Sequence, residues 1–230
     1  MVAEHPAVLV HGFHLDLLAR ILAPLPRDAV DLYVSTPLEK LEHAEAVLKS
    51  QGWQRIRLIG VPNHGRDIAP FLLELLPRAL AHHHPWILKL HTKRSENKPG
   101  GQRWGEALVQ SLTNPNALTQ LQELMQPNSN VCLAAPAGSF LPCTVCLGGN
   151  SKQLKALLEQ AGLAPRWWLA QQIVAGSMWA APSARLGRLL EIPLTLEAFE
   201  PEAGQTDGTL AHAWERMLPA VLLDQGGERV

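Results

Sequence analysis

Long apolar runs are missing from this sequence. Nothing approaches the ~20 consecutive apolar residues needed to cross a bilayer. The opening residues, Met1-Val-Ala-Glu-His-Pro6, have neither the basic stretch nor the apolar core of a secretory leader, so a cytoplasmic protein is expected. Cysteine is scarce, and its odd count of 3 suits a reducing compartment rather than a disulfide framework. Cys143-Thr-Val-Cys146 has half of a zinc-site spacing, but the second half is absent and no histidine lies close by. Structural cysteines are the expectation. An excess of charge is missing too: a formal net charge of -1 argues against a nucleic-acid partner bound through bulk charge. Any anion site must be a local concentration of Lys and Arg. The Gly-x-Ser-x-Gly elbow, the Gly-x-x-x-x-Gly-Lys phosphate loop and the Gly-x-Gly-x-x-Gly dinucleotide fingerprint are all absent, which removes the commonest hydrolase, nucleotide-triphosphatase and dehydrogenase readings.

What is present is a chain of 230 residues, 47% of them hydrophobic, enough for one large core and, by default, a single domain over 1–230. Apolar strand patterns at 7–11, 30–34, 55–61 and 86–90 alternate with helical patterns at 15–22, 38–51 and 68–80. This rhythm of β-α-β units predicts an α/β fold with a mostly parallel sheet flanked by helices. Ser35-Thr36-Pro37 reads as a capped helix start. His82-His83-His84 falls at a helix end, where histidines suit the dipole and a metal role is not expected. Further on, residues 96–102 read as a mobile polar loop. Helices are predicted at 104–112, 117–125, 151–161 and 209–223, and a fifth strand at 130–135. The apolar stretch 167–179 reads first as helix and then as strand from Ile173 to Trp179.

The chain is organised around Trp86-Ile-Leu-Lys-Leu-His-Thr-Lys-Arg-Ser95, a buried-strand pattern that runs into cations and hydroxyls. Alternation puts Ile87, Lys89, His91 and Lys93 on one face and Leu88, Leu90 and Thr92 on the other. Lysine inside such a strand needs a reason. Either Lys89 pairs with a core carboxylate, or it belongs to an anion site at the carboxyl end of the sheet, where open α/β folds bind ligands. Three more polar clusters fall at element ends. Asn63-His-Gly65-Arg66-Asp67 combines a turn glycine, a planar cationic fork and a carboxylate that suits a helix cap. Ala175-Gly176-Ser177-Met-Trp179 sets small residues against an aromatic, and Gly204-Gln205-Thr206-Asp207 leads to His212 at the start of the last helix. Cations for phosphate, an aspartate for a base and tryptophan for stacking suit a phosphorylated or nucleotide-bearing substrate.

The blocks Asn63-x-Gly-Arg-Asp-Ile-Ala-Pro-Phe71, Lys89-Leu-His-Thr-Lys-x-Ser95, Ala175-Gly-Ser-Met178 and Gly204-Gln-Thr-Asp-Gly-Thr-x-Ala-His-Ala-x-Glu-Arg216 resemble the signature blocks of the rhamnan synthesis protein F family. These are bacterial proteins of cell-surface polysaccharide assembly, regarded as glycosyltransferases. The resemblance extends from the first strand to about Leu218. It implies a single Rossmann-like, nucleotide-diphospho-sugar transferase (GT-A-like) architecture and transfer of a sugar, with rhamnose one candidate, to a growing polysaccharide or lipid-linked glycan. Other polysaccharide-assembly glycosyltransferases become candidate partners, and lipid-linked acceptors suggest peripheral attachment at the inner membrane face.

Enzymes of that kind often carry Asp-x-Asp after the fourth strand to hold a divalent metal, and this sequence has none. His91-Thr-Lys-Arg94 stands there instead, so cations are expected to offset the diphosphate charge in a metal's place; no cofactor is expected, with magnesium and manganese left open. On this reading Arg66, Lys93 and His91 bind the diphosphate, and Asp67 binds a hydroxyl or orients Lys89. Asn63, Gly65, Ser95, Gly176, Ser177, Gln205 and Thr206 complete the substrate site. Asp207 is the candidate base, with His212 second. The family more often continues Gly-Ser-Met with two aromatics, a small residue and an arginine, whereas Gly176-Ser-Met-Trp-Ala-Ala-Pro182 is shorter and lacks that arginine. A noncatalytic glycan- or nucleotide-sugar-binding partner is the alternative, and a phosphate-ester hydrolase a third reading.

Overall fold

The computed structural model describes residues 3–94, 101–164 and 171–230. Ser95, most of the predicted 96–102 loop and the helical part of the 167–179 stretch lie outside them. The first half follows the predicted rhythm: β1 (Ala7–His11), α1 (Leu15–Leu22), β2 (Asp31–Pro37), α2 (Leu41–Ser50) and β3 (Ile56–Val61). A π-helical stretch, Pro70–Leu75, then leads into α3 (Leu76–Ala81) and β4 (Trp86–His91). The wide turns stand just before Pro77, whose ring would crowd the carbonyl four residues back in an ordinary α-helix. The second half contains α4 (Gly101–Thr113), α5 (Pro115–Leu124), β5 (Val131–Leu133), β6 (Phe140–Pro142), α6 (Cys143–Cys146), α7 (Ser151–Gln160), β7 (Gln172–Val174), β8 (Trp179–Pro182), α8 (Ser183–Leu186), α9 (Leu210–Asp224) and β9 (Glu228–Arg229).

Five strands form the central sheet in the order β3-β2-β1-β4-β8. The first four are parallel, with Leu9 opposite both Tyr33 and Lys89, and His11 opposite both Ser35 and His91. β8 runs antiparallel to β4, so the sheet is mixed, and Ala134 bridges to Ala180 beyond it. Small ladders join β5 to β9 and β6 to β7.

Side-chain alternation splits the core between two layers. Leu9, Tyr33, Ile87 and Trp179 face α3, α7 and α9, while Val10, Val34, Leu90 and Ala180 face α1, α2, α4 and α5. α9 is a core helix: Ala211, Ala213, Trp214, Met217, Leu218, Val221 and Leu222 are buried around its circumference. It therefore covers the face of the sheet that carries Lys89 and His91.

Two predicted elements came out differently. Ser35 and Thr36 do not start a helix. They extend β2 and spend their hydroxyls across the sheet, Ser35 Oγ lying 3.0 Å from His11 Nδ1 and Thr36 Oγ1 donating to the Gly12 carbonyl at 2.8 Å. A 3-10 turn, Leu38–Lys40, precedes α2 instead. The predicted strand Ile173–Trp179 is two short strands with a turn between, because Gly176 (φ 90°) and Ser177 (φ 52°) take left-handed backbone that cannot continue a strand. His84 is a structural histidine, 2.8 Å from both the Tyr33 hydroxyl and the His5 carbonyl. All three cysteines are free, with Cys132 and Cys143 buried.

Candidate functional site

β1 has β2 on one side and β4 on the other, so the chain reverses direction across the sheet between the carboxyl ends of β1 and β4. That switch point is where open α/β sheets leave a ligand crevice. The two strand ends are tied together there: Thr92 N–H donates to the His11 carbonyl at 3.0 Å, and the His14 N–H donates to Thr92 Oγ1 at 2.9 Å.

At this end of the sheet lies a buried ionic cluster. Lys89, 1% exposed, directs its ammonium at Asp67 Oδ2 (2.7 Å), the Ser177 carbonyl (2.8 Å) and Ser177 Oγ (3.1 Å). Those contacts use all three of its donors, leaving none for a phosphate. Lys89 is thus the core-paired lysine, and it positions Asp67 and the Gly176–Ser177 turn. His91 Nδ1 stands 3.4 Å from Asp67 Oδ2 without a hydrogen bond. Burial pushes the Asp67 carboxyl up, but His91 and Lys89 reverse this and hold it well below the usual carboxylate range. Burial pulls His91 down to about 3 and His11 to about 4, so both rings are neutral near neutral pH. Asp67 Oδ1 has no partner among the described residues, and its side chain is 18% exposed, so one lone-pair edge faces the crevice.

The backbone here is strained. Arg66 takes φ 57° beside Gly65 at φ 69°, and a Cβ on Gly65 would come within 2.4 Å of the Ala69 Cβ. Left-handed non-glycine residues such as Arg66 and Ser177 cost of order 1–3 kcal/mol each and persist only where surroundings enforce them. Here the enforcing contacts are the Lys89 ammonium on Ser177 and, on Arg66, the Glu202 carboxylate accepting its N–H at 3.2 Å. The Arg66 guanidinium donates to the Gln205 carbonyl. Gln205 folds its own amide back onto Ala203 and Pro201, while Asn63 and Thr206 are exposed at the rim.

Lys93 is an available cation at this end of the sheet. Among the described residues it makes no hydrogen bond or ion pair, and its ammonium lies 5.5 Å from the Trp104 ring centroid. It also borders a cavity of about 580 Å³ between α1 and α4, whose walls include Arg20, Ile21, Val109 and Met178. This cavity is not centred on the ionic cluster; it lies toward the opposite layer and meets the crevice through Lys93 and Met178. The cluster, with its strain and buried charge, marks the candidate site, and the cavity adjoins it. Gly176 holds that junction closed, since a Cβ on it would meet Leu108 Cδ1 at 2.5 Å.

Asp207 lies in the segment leading into α9, and His212 in the first turn of that helix. Asp207 is held by three donors: Gly149 N–H at 2.8 Å, Asn150 Nδ2 at 2.6 Å and Arg216 Nη2 at 3.2 Å. Burial pushes its carboxyl up, but these bonds together outweigh it and bring it below its ordinary value, which weakens it as a base. His212 closes a capping box with Thr209, whose hydroxyl lies 2.7 Å from Nδ1, and burial with nearby Arg66 lowers it to about 4. Sequence reasoning missed the Gly148-Gly149-Asn150 cradle for Asp207, although the glycine pair was a visible signal. A Cβ on Gly148 would fall 1.8 Å from Asp207 Oδ2. Glu200 and Glu202 accept backbone N–H bonds from Leu210 and Arg66.

Among the described residues no three His, Cys, Asp or Glu side chains form a metal-holding group, and the Asp67 carboxylate beside β4 has its Oδ2 on the Lys89 ammonium.

The fold is an open, mixed α/β sheet flanked by helices, with its strand order switching between β1 and β4. More specifically, this chain belongs to the rhamnan synthesis protein F family, whose model it matches over residues 2–226. It is 33% identical over 226 residues to the uncharacterized protein WxcX of two Xanthomonas campestris pv. campestris strains, B100 and ATCC 33913. That match takes in 97% of this chain and 32% of each relative, so the chain spans about a third of their length. No solved structure matches it. Among the described residues no helix is long and apolar enough to cross a membrane.

Proposed function

We propose that this chain is a glycosyltransferase unit of cell-surface polysaccharide synthesis, built on a GT-A-like sheet and acting on a nucleotide-diphospho-sugar. The observation that carries the reading is the buried Lys89–Asp67–Ser177 cluster at the carboxyl end of the sheet, with Arg66 next to Asp67 in the chain and Lys93 just past β4, free of hydrogen bonds and ion pairs among the described residues. In this account Lys93 and Arg66 hold the diphosphate and stabilise the negative charge that develops as it leaves. Asp67 Oδ1 accepts a hydroxyl of the sugar or ribose, with Lys89 fixing the carboxylate from below. His91, neutral and buried, fills the floor rather than adding charge. Trp104 supplies an exposed aromatic face beside Lys93, suited to stacking a base or a sugar ring. The acceptor is a glycan or lipid-linked glycan, and the neighbouring cavity gives it a route to Lys93.

Nucleotide titration tests the donor assignment. Lys93→Ala and Arg66→Ala should each raise the Kd for the cognate nucleoside diphosphate by roughly 10–100-fold, the worth of a charge-assisted hydrogen bond. Unchanged affinity in both removes them from the role. The shortened Gly176–Pro182 block, lacking the family's arginine, favours a second reading as a noncatalytic nucleotide-sugar-binding partner. Binding without turnover across a full donor panel decides for it.

A further inference from the structure

We propose that Glu215 on α9, not Asp207, is the general base that takes the proton of the acceptor hydroxyl. This rests on the transferase reading above and deepens it. Each of the carboxylates described around the crevice is occupied: Asp67 by Lys89, Asp207 by Gly149, Asn150 and Arg216, Glu200 by Gln153 and the Leu210 N–H, Glu202 by the Arg66 N–H. Glu215 is different. It is half-buried, and among the described residues it has neither a hydrogen bond nor an ion pair. It stands one turn after His212 on the helix that covers the Lys89 face of the sheet. The charged groups that bear on it are Lys93, Asp67, Arg216 and Lys89, drawn from the end of β4, the β3–π turn and α9 itself. A half-buried carboxylate with no partner is costly to keep unless it has work to do. Burial raises its proton affinity above that of an ordinary glutamate, in contrast to Asp207.

The step balances without a co-reactant beyond the nucleotide sugar. As the acceptor oxygen bonds to the anomeric carbon, its proton passes to Glu215. The bond from that carbon to the diphosphate oxygen breaks, and its electron pair leaves with the nucleoside diphosphate beside Lys93 and Arg66. With water as acceptor the same step releases free sugar, so the role can be read without knowing the natural acceptor.

The experiment measures nucleoside diphosphate release from the cognate nucleotide sugar across pH for wild type, Glu215→Gln and Asp207→Asn, with nucleotide Kd by calorimetry. Glu215→Gln should lower kcat by at least about 100-fold, keep Kd within about threefold and abolish the acidic limb of the kcat/KM profile. Asp207→Asn should retain that limb. A Glu215→Gln enzyme with kcat within threefold of wild type overturns this proposal and leaves the transferase reading intact. A wild type that binds the nucleotide but releases none overturns Glu215 as a base and favours the binding-partner reading; one that binds no nucleotide sinks both. In the unliganded protein, carbon-13 carboxyl titration should find Glu215 above the normal glutamate range, and a value within that range counts against it.

Discussion

The Lys89–Asp67 pair makes a quantitative demand on stability. Asp67→Ala leaves an ammonium that is 1% exposed with only the neutral Ser177 oxygens at 2.8 and 3.1 Å. Breaking a buried pair by removing one partner costs about 3–5 kcal/mol, because a charge stays buried and unpaired. The Asp67 side chain is 18% exposed, so water entering the vacated space offsets part of the loss and places the cost near ~3 kcal/mol. Total stability for a domain is typically ~5–15 kcal/mol, so the variant should still fold. Lys89→Met in the Asp67→Ala background removes the stranded charge and should recover at least half of the loss. Urea denaturation at pH 7.5, followed by tryptophan fluorescence and checked for a constant m-value, reads all three proteins. A loss below ~1 kcal/mol for Asp67→Ala, or simple additivity of the two substitutions, refutes the pairing argument.

Acid should destabilise the protein early. Folded His11, His91 and His212 are lowered to about 4, about 3 and about 4, whereas an unfolded imidazole takes its proton near ~6.5. The unfolded state then binds more protons, so their stabilisation is intact above pH ~6.5 and falls as the pH drops toward 4, by up to about 1.4 kcal/mol per pH unit per histidine. A denaturation midpoint equal at pH 7.5 and pH 5 contradicts this, and His91→Gln should flatten the slope. Asp67 adds a second loss, felt only below its unfolded value of ~3.9. Gly148→Ala should displace Asp207, since its Cβ would lie 1.8 Å from Oδ2 at a backbone φ of 55°. A loss of about 1–3 kcal/mol is expected, and a neutral result on thermal denaturation would mean that the cradle is loose. Trp214→Ala in the middle of α9 should cost ~3–5 kcal/mol, measured in the same way.

Much of the sheet was legible because its four parallel strands are continuous apolar runs separated by helical periodicity, and those signals are local. The short β6 and β9 were not legible, and β7 and β8 were read as one continuous strand. Three or four residues carry too little pattern, and their pairing depends on contacts far apart in sequence, such as Ala134 with Ala180. Lys89 was visible as an anomaly in a buried strand, yet only the position of Asp67 decided between phosphate ligand and paired core lysine. The same limit applied to Asp207. A Thr-Asp-Gly turn offers a carboxylate, but Gly149, Asn150 and Arg216, which weaken it as a base, come from 58 and 57 residues before it and nine after. Glu215 stood in the last signature block, but nothing in the sequence set it above Asp207, since its distinction is a lack of partners.

The central claim is that the crevice binds a nucleoside diphosphate through Lys93 and Arg66. Calorimetric titration of the protein with dTDP, UDP, GDP and CMP, each with magnesium and with chelator, tests it most directly. The account predicts a Kd of about 1–100 µM for one diphosphate, retained in chelator and weakened in Lys93→Ala. Absence of binding by all four, or binding that disappears with chelator, would contradict it.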